Sequence, residues 1–166
     1  SSAGSRHLVD PELLPLLDAF PTVTFTSENL SELRARDLPF PPVGDCGVEL
    51  QERMISGPDG SLDIPVRIYR PQDSAGPLGC IYHIHGGGFV GGSSREVEFL
   101  HRPLAAELSC VIVTVDYRLA PEYRWPAQTD DGFAVLKHLL SANSKVVLIG
   151  DSAGANLAAV LALCAG

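Results

Sequence analysis

From residue 48 onward, apolar residues fall in short blocks separated by glycine- and proline-rich breaks. The block 48–55 reads as a strand and Gly57-Pro58-Asp59-Gly60 as a turn. Residues 64–69 alternate apolar and polar side chains, as the hairpin partner of that strand should. Blocks 79–84, 111–115 and 146–149 are predominantly apolar, and 111–115 is wholly β-branched. Continuous apolar runs fit strands buried on both faces, as in a parallel sheet. The stretches between them have helical spacing. One covers 96–108, where Pro103 predicts a kink or a split. A second covers 126–140, with Phe133, Leu136 and Leu140 on one stripe. A third, 153–165, is apolar almost all round and is expected to be buried on most sides. A hairpin followed by alternating strands and helices predicts the α/β class with a mostly parallel sheet.

Residues 1–45 differ in texture. Leu13, Leu14, Leu16 and Leu17 follow Asp10-Pro11, which predicts a short amphipathic helix with Asp as cap and Pro in the first turn. A second short helix is expected after Ser27, with Leu30, Leu33 and Arg34. Pro39, Pro41 and Pro42 then form a stiff connector. The chain thus divides into an N-terminal segment, 1–45, and an α/β unit, 46–166.

Composition narrows the function. The chain has 166 residues, 45% hydrophobic and 19% charged, which suits one packed domain or part of a larger one. Twelve Lys and Arg face twenty Asp and Glu, a net charge of −8 with no basic cluster. Nucleic acid and anionic membrane surfaces are therefore excluded as partners, and small neutral molecules are favoured. Cys46, Cys80, Cys110 and Cys164 are widely spaced, without a CxxC or Cys/His cluster, so no metal or other cofactor is expected. Cys110 and Cys164 lie in apolar runs and read as core residues. No run reaches the roughly 18 apolar residues of a membrane span, so no stable membrane insertion is expected. No signal-peptide pattern opens the chain, which leaves a cytoplasmic address as the default.

Two motifs carry candidate chemistry. Gly150-Asp151-Ser152-Ala153-Gly154 joins a strand directly to a helix. A serine on such a turn projects its hydroxyl above the sheet, and the helix start beneath it adds partial positive charge. His85-Gly86-Gly87-Gly88-Phe89 follows the strand at 79–84. Its backbone amides, with that of Ala153, can converge on one developing oxyanion, each donor lowering the barrier by roughly 3 kcal/mol. A phosphate cradle is disfavoured, since neither a GK[ST] nor a spaced GxGxxG is present. His85 reads as a structural brace of the glycines. His83 precedes the loop rather than facing Ser152, and His7, His101 and His138 are expected at the surface.

The sequence His85-Gly86-Gly87-Gly88-Phe89-Val90, then Asp116-Tyr117-Arg118-Leu119-Ala120-Pro121-Glu122, then Gly150-Asp151-Ser152-Ala153-Gly154 resembles the hormone-sensitive-lipase-like branch of the α/β-hydrolases. The resemblance covers about residues 45–166, and residues 1–45 resemble the start of that family's cap. It implies the N-terminal part of an α/β-hydrolase fold with helices on both faces. It also implies carboxylester hydrolysis through an acyl-enzyme: Ser152 as nucleophile, Gly86, Gly87, Gly88 and Ala153 in the oxyanion hole, His85 and Asp151 in support. Residues 117–122 then shape the floor of the site. They are equally well read as a proline-ended turn with an Arg–Glu pair.

A serine nucleophile needs a base and an orienting acid, which in this fold follow it in the chain. Residues 153–166 contain no Asp, Glu or His. The expected partner is therefore a complementary C-terminal segment or chain carrying both, alongside a small ester substrate. A non-catalytic small-molecule-binding relative and an amidase are the alternatives on the same scaffold.

Overall fold

The structure is a computed structural model that describes residues 5–19, 24–36, 42–44, 46–60, 62–74, 76–142 and 145–165. Pro39 and Pro41 of the expected connector lie outside these residues. The strands are β1 (Val48–Ser56), β2 (Asp63–Pro71), β3 (Cys80–Ile84), β4 (Val111–Val115) and β5 (Val146–Gly150). The helices are α1 (Leu14–Ala19), α2 (Leu30–Arg34), α3 (Glu98–Leu108), α4 (Ala127–Ala142) and α5 (Ala153–Ala165). The five strands form one mixed sheet in the order β1-β2-β4-β3-β5. β1–β2 and β2–β4 pair antiparallel, whereas β4–β3 and β3–β5 pair parallel. The parallel strands are the apolar runs of the sequence; β3 and β4 are buried on both faces as such runs predict, whereas β5 lies at the sheet edge and is only partly buried.

Alternate strand residues feed two cores. On one face Tyr82, Ile84, Val113 and Val115 pack with Val135, Leu136 and Leu139 of α4 and Leu157 and Leu161 of α5. On the other, Tyr69 and Ile112 pack with Ala105 of α3. Asp10 caps the N-terminal turn as expected, its carboxylate accepting the N–H of Glu12 at 3.0 Å.

Several expectations are corrected. α3 runs as one helix through Pro103, whose ring lies on the exposed side and so does not disturb packing on the sheet. α4 buries Ala127, Gln128, Asp131, Gly132, Val135, Leu136 and Leu139, so Leu136 is on the buried side as expected and Phe133 packs at its edge. Leu140, one residue or about 100° beyond Leu139, is 45% exposed. α5 buries only Ala153, Gly154, Leu157, Ala158 and Leu161. Its opposite face is open, so Cys164 is exposed and Leu163 is 84% exposed, whereas Cys110 is buried as expected. His101 is not at the surface: it is fully buried on the inner face of α3, against Tyr69 and His83.

Candidate active site

The carboxyl ends of β3 and β5 are adjacent in the sheet, with Ile84 in register with Gly150. That adjacency brings together the two motifs, which are far apart in the chain. Ser152 is the second of the two residues between the end of β5 and the first residue of α5. It is exposed, with φ at +51°, in the left-handed region a non-glycine residue rarely adopts. The turn is this tight because Gly150 and Gly154 nearly touch: a Cβ on Gly150 would lie 2.7 Å from Ala155 N. A Cβ on Gly154 would overlap the carbonyl of Ile84.

The glycine loop faces this turn. A Cβ built on Gly86 would lie 3.3 Å from Ser152 Cβ. Gly87 has φ of +112° and is pressed against the Gly91 carbonyl, a conformation open to glycine alone. The Gly86 carbonyl is held at 2.7 Å by His85 Nδ1 and approached at 3.5 Å by the Tyr117 hydroxyl. In a trans peptide the C=O and the following N–H point oppositely, so fixing Gly86 O inward turns the Gly87 N–H outward. Among the described residues, the N–H groups of Gly87, Gly88 and Ala153 donate to no protein acceptor. The N–H of Gly86, expected among the oxyanion donors, is already engaged: it donates to Asp151 Oδ2 at 3.0 Å. Gly86 therefore fastens the loop to the serine turn.

His85 is buried and stacks on Tyr117 with ring centroids 4.3 Å apart. The Tyr117 hydroxyl donates to the His85 carbonyl at 2.9 Å. Burial pushes the His85 pKa down, so the ring is neutral at pH 7 and braces the loop from below. Asp151 bonds Gly86 through one oxygen and lies 3.3 Å from His83 Nε2 through the other. Among the described residues, Ser152 Oγ has no hydrogen-bond partner; the two nearby histidines bond elsewhere, His85 to Gly86 O, with His83 facing Asp151. No group of three His, Cys, Asp or Glu side chains among them could hold a metal ion.

A cavity of about 360 Å³ opens beside the loop. Its walls are Phe25 and Leu33 from the N-terminal segment, Gly86 and Gly87 from the loop, and Glu96 and Asp151. Burial raises the Glu96 pKa. The N-terminal segment is fastened by Arg34, whose guanidinium donates to the carbonyls of Val90 (2.7 Å) and Ala120 (2.6 Å) and pairs with Glu122 at 2.9 Å. Arg118 does not pair with Glu122, as the local reading suggested; it grips Asp131 of α4 at 2.7 Å. Asp116 holds the far end of the loop, accepting from Ser94 N at 2.6 Å and Ser94 Oγ at 2.7 Å. Arg34, Asp116 and Asp131 carry no sequence signal for these roles, since each partner is distant in the chain.

A family model described as alpha/beta hydrolase fold matches residues 81–166. Carboxylesterase NlhH of Mycobacterium tuberculosis is 38% identical over 168 residues, covering 95% of this chain and 52% of its own length. Among solved structures, a bacterial heroin esterase superposes with a TM-score of 0.79 at 34% identity, covering 95% of this chain and 53% of that one. A hyperthermophilic esterase from the archaeon Pyrobaculum calidifontis gives 0.66 at 38% identity, covering 75% and 41%. The chain spans about half the length of the curated relatives it matches. Strand order, serine turn, glycine loop and these likenesses agree: the chain belongs to the α/β-hydrolase fold family, in its hormone-sensitive-lipase-like branch.

Proposed function

We propose that this chain supplies the nucleophile and oxyanion hole of a serine carboxylesterase acting on small to medium esters. The observation that carries the reading is Ser152, exposed at φ +51° at the start of α5 and opposite a glycine loop with free amides. The similar proteins named carboxylesterase and esterase support the ester class.

Ser152 Oγ attacks the ester carbonyl while a histidine takes its proton. The carbonyl oxygen becomes an oxyanion, held by the N–H groups of Gly87, Gly88 and Ala153. These amides bind the charge that develops, not the ground-state carbonyl, so they act on kcat. The tetrahedral intermediate collapses, the alcohol leaves with the proton from the histidine, and Ser152 carries the acyl group. Water, deprotonated by the same histidine, attacks the acyl carbon and releases the acid and Ser152. The α5 N-terminus favours negative charge at that point.

The histidine and its orienting acid are assigned to a further segment or chain that docks on β5 and α5. β5 is an edge strand with Val147 57% exposed, and Leu163 of α5 is 84% exposed. A parallel strand and helix laid there would cover both. The test treats the assembled protein with a fluorophosphonate and a short-chain p-nitrophenyl ester. We expect the label on Ser152 and its loss, with the activity, in Ser152→Ala. An unlabelled Ser152 in an assembly that contains the histidine overturns the reading.

A further inference from the structure

One carboxylate joins the two glycine motifs. Asp151 Oδ2 accepts the Gly86 N–H at 3.0 Å, and Asp151 Oδ1 lies 3.3 Å from His83 Nε2. The Asp151 side chain is 58% exposed, so its orientation rests largely on the polar contacts of its two oxygens. The His83 side chain is 6% exposed. It stands on β3 between Thr114 of β4 and Ile149 of β5, and its ring meets His101 edge-on at 4.6 Å. The exposed member of the pair is thus held by a buried one.

The proton on the His83 ring follows from its surroundings. Nε2 faces a carboxylate, whereas Nδ1 is buried with no partner among the described residues. Burial lowers the His83 pKa, outweighing the attraction of Asp151. The ring is neutral at pH 7, and of its two tautomers the one protonated on Nε2 is favoured, because it turns an N–H toward the Asp151 carboxylate 3.3 Å away.

We propose that His83 is a positioning residue: its Nε2–H fixes the Asp151 carboxylate, which holds the Gly86 amide and thereby sets the oxyanion loop over Ser152. The proposal rests on the roles given above to Ser152 and the loop amides. The chain of bonds explains why an acid adjoins a nucleophile that must itself become more basic: the carboxylate is turned away from Oγ, toward β3. It also explains a polar ring on a buried strand face, where an apolar side chain would pack without unsatisfied nitrogens.

Three variants of the assembled protein test it, with kcat and KM for p-nitrophenyl butyrate and the hydrogen exchange of the Gly86 amide as readouts. His83→Leu keeps the volume and removes the donor. We expect kcat to fall about 10- to 100-fold with KM within about threefold, since the displaced amides act in the transition state. Gly86 exchange should rise at least about tenfold while Gly132, within α4, stays unchanged. His83→Gln places an amide N–H near the Nε2 position and should restore both. Should His83→Leu fail to fold, Asp151→Ala removes the middle link from the solvent side and should free Gly86 equally. Unchanged Gly86 exchange in His83→Leu or Asp151→Ala overturns the proposal, and so does a folded His83→Gln that rescues nothing. The exchange readout needs no turnover. An inactive parent whose Gly86 responds as expected therefore overturns the esterase reading and leaves the positioning role standing.

Discussion

His101 makes the stability of this protein depend on pH in a calculable way. Its ring is fully buried between Tyr69, 5.2 Å away, and His83, 4.6 Å away, and neither nitrogen has a partner among the described residues. Burial first, and then repulsion from His83, push its pKa down to about 3, against the attraction of Glu98. In the unfolded chain a histidine titrates near 6.5. The unfolded state therefore takes up a proton below about pH 6.5 that the folded state refuses until about pH 3. Stability is full above that window and is lost progressively as pH falls through it. Between pH 7 and pH 5 the loss from this one ring is about 2 kcal/mol, and across the whole window about 5 kcal/mol. His83, lowered for the same reason, acts in the same direction. Glu98 contributes only at lower pH: burial raises its pKa, but hydrogen bonds from Arg102 and Arg67 lower it further. The perturbation is His101→Phe, which keeps an aromatic ring between Tyr69 and His83 and cannot titrate. Urea unfolding at pH 7, 6 and 5 is followed by far-UV circular dichroism, because Trp125 is 81% exposed and a poor reporter of burial. We expect the variant to lose about 2 kcal/mol less than the parent between pH 7 and 5. Profiles parallel to within about 0.5 kcal/mol would refute the assignment of acid lability to this ring.

Two further outcomes follow from the packing. Asp131, 2% exposed in its side chain, accepts from Arg118 N at 2.9 Å and Nη2 at 2.7 Å. Asp131→Ala leaves a partly buried guanidinium and an amide unpaired and should cost about 3 kcal/mol in urea unfolding, and a loss under about 1 kcal/mol would contradict this. Gly154→Ala drives a methyl group into the Ile84 carbonyl and should slow fluorophosphonate labelling of Ser152 at least about tenfold, so labelling at the parental rate would show that the turn does not need the close approach.

What could be read from the chain was whatever its neighbours in sequence decide. The run 111–115 announces a strand because β-branched residues at every position suit only a strand buried on both faces, and β4 has those bounds. The serine turn is local on one side only: Gly150 makes room for Gly154 and Ala155, within five residues, whereas Gly154 makes room for the Ile84 carbonyl of β3. Burial of a polar side chain is not local. His101 reads as a surface residue on a helix, and only Tyr69 and His83, delivered by two strands, make its position interior. Asp131 stands beside Asp130 in what looks like a solvated face until Arg118 reaches it from the preceding loop. α5 misleads in the opposite sense: its apolar residues announce a buried helix, but exposure depends on what lies alongside, and Leu163 faces no described residue that covers it.

The division between local and distant contacts also organises the site. A serine at φ +51° is strained by on the order of 1 kcal/mol, and the strain persists only where surrounding contacts over-determine it. Near at hand, Gly154 N donates to Asp151 O at 2.8 Å and Asn156 N to Ser152 O at 3.2 Å, so α5 begins immediately and fixes the hydroxyl side. The opposing side is fixed from afar, by Tyr117 beneath His85, Asp116 on Ser94, and Arg34 on Val90 and Ala120. Asp151 alone belongs to both sets, sharing a peptide bond with Ser152 and a hydrogen bond with Gly86. A shift of the loop relative to the hydroxyl must therefore either break that bond or rotate the Asp151 side chain away from His83. Oxyanion donors gain their effect from being aimed before charge develops, and an error of about 1 Å costs on the order of 100-fold in rate. On the proposed reading the two glycine motifs supply the reacting groups, and the distance between them is set by His83 on β3, by Asp116 and Tyr117 after β4 and by Arg34 on α2.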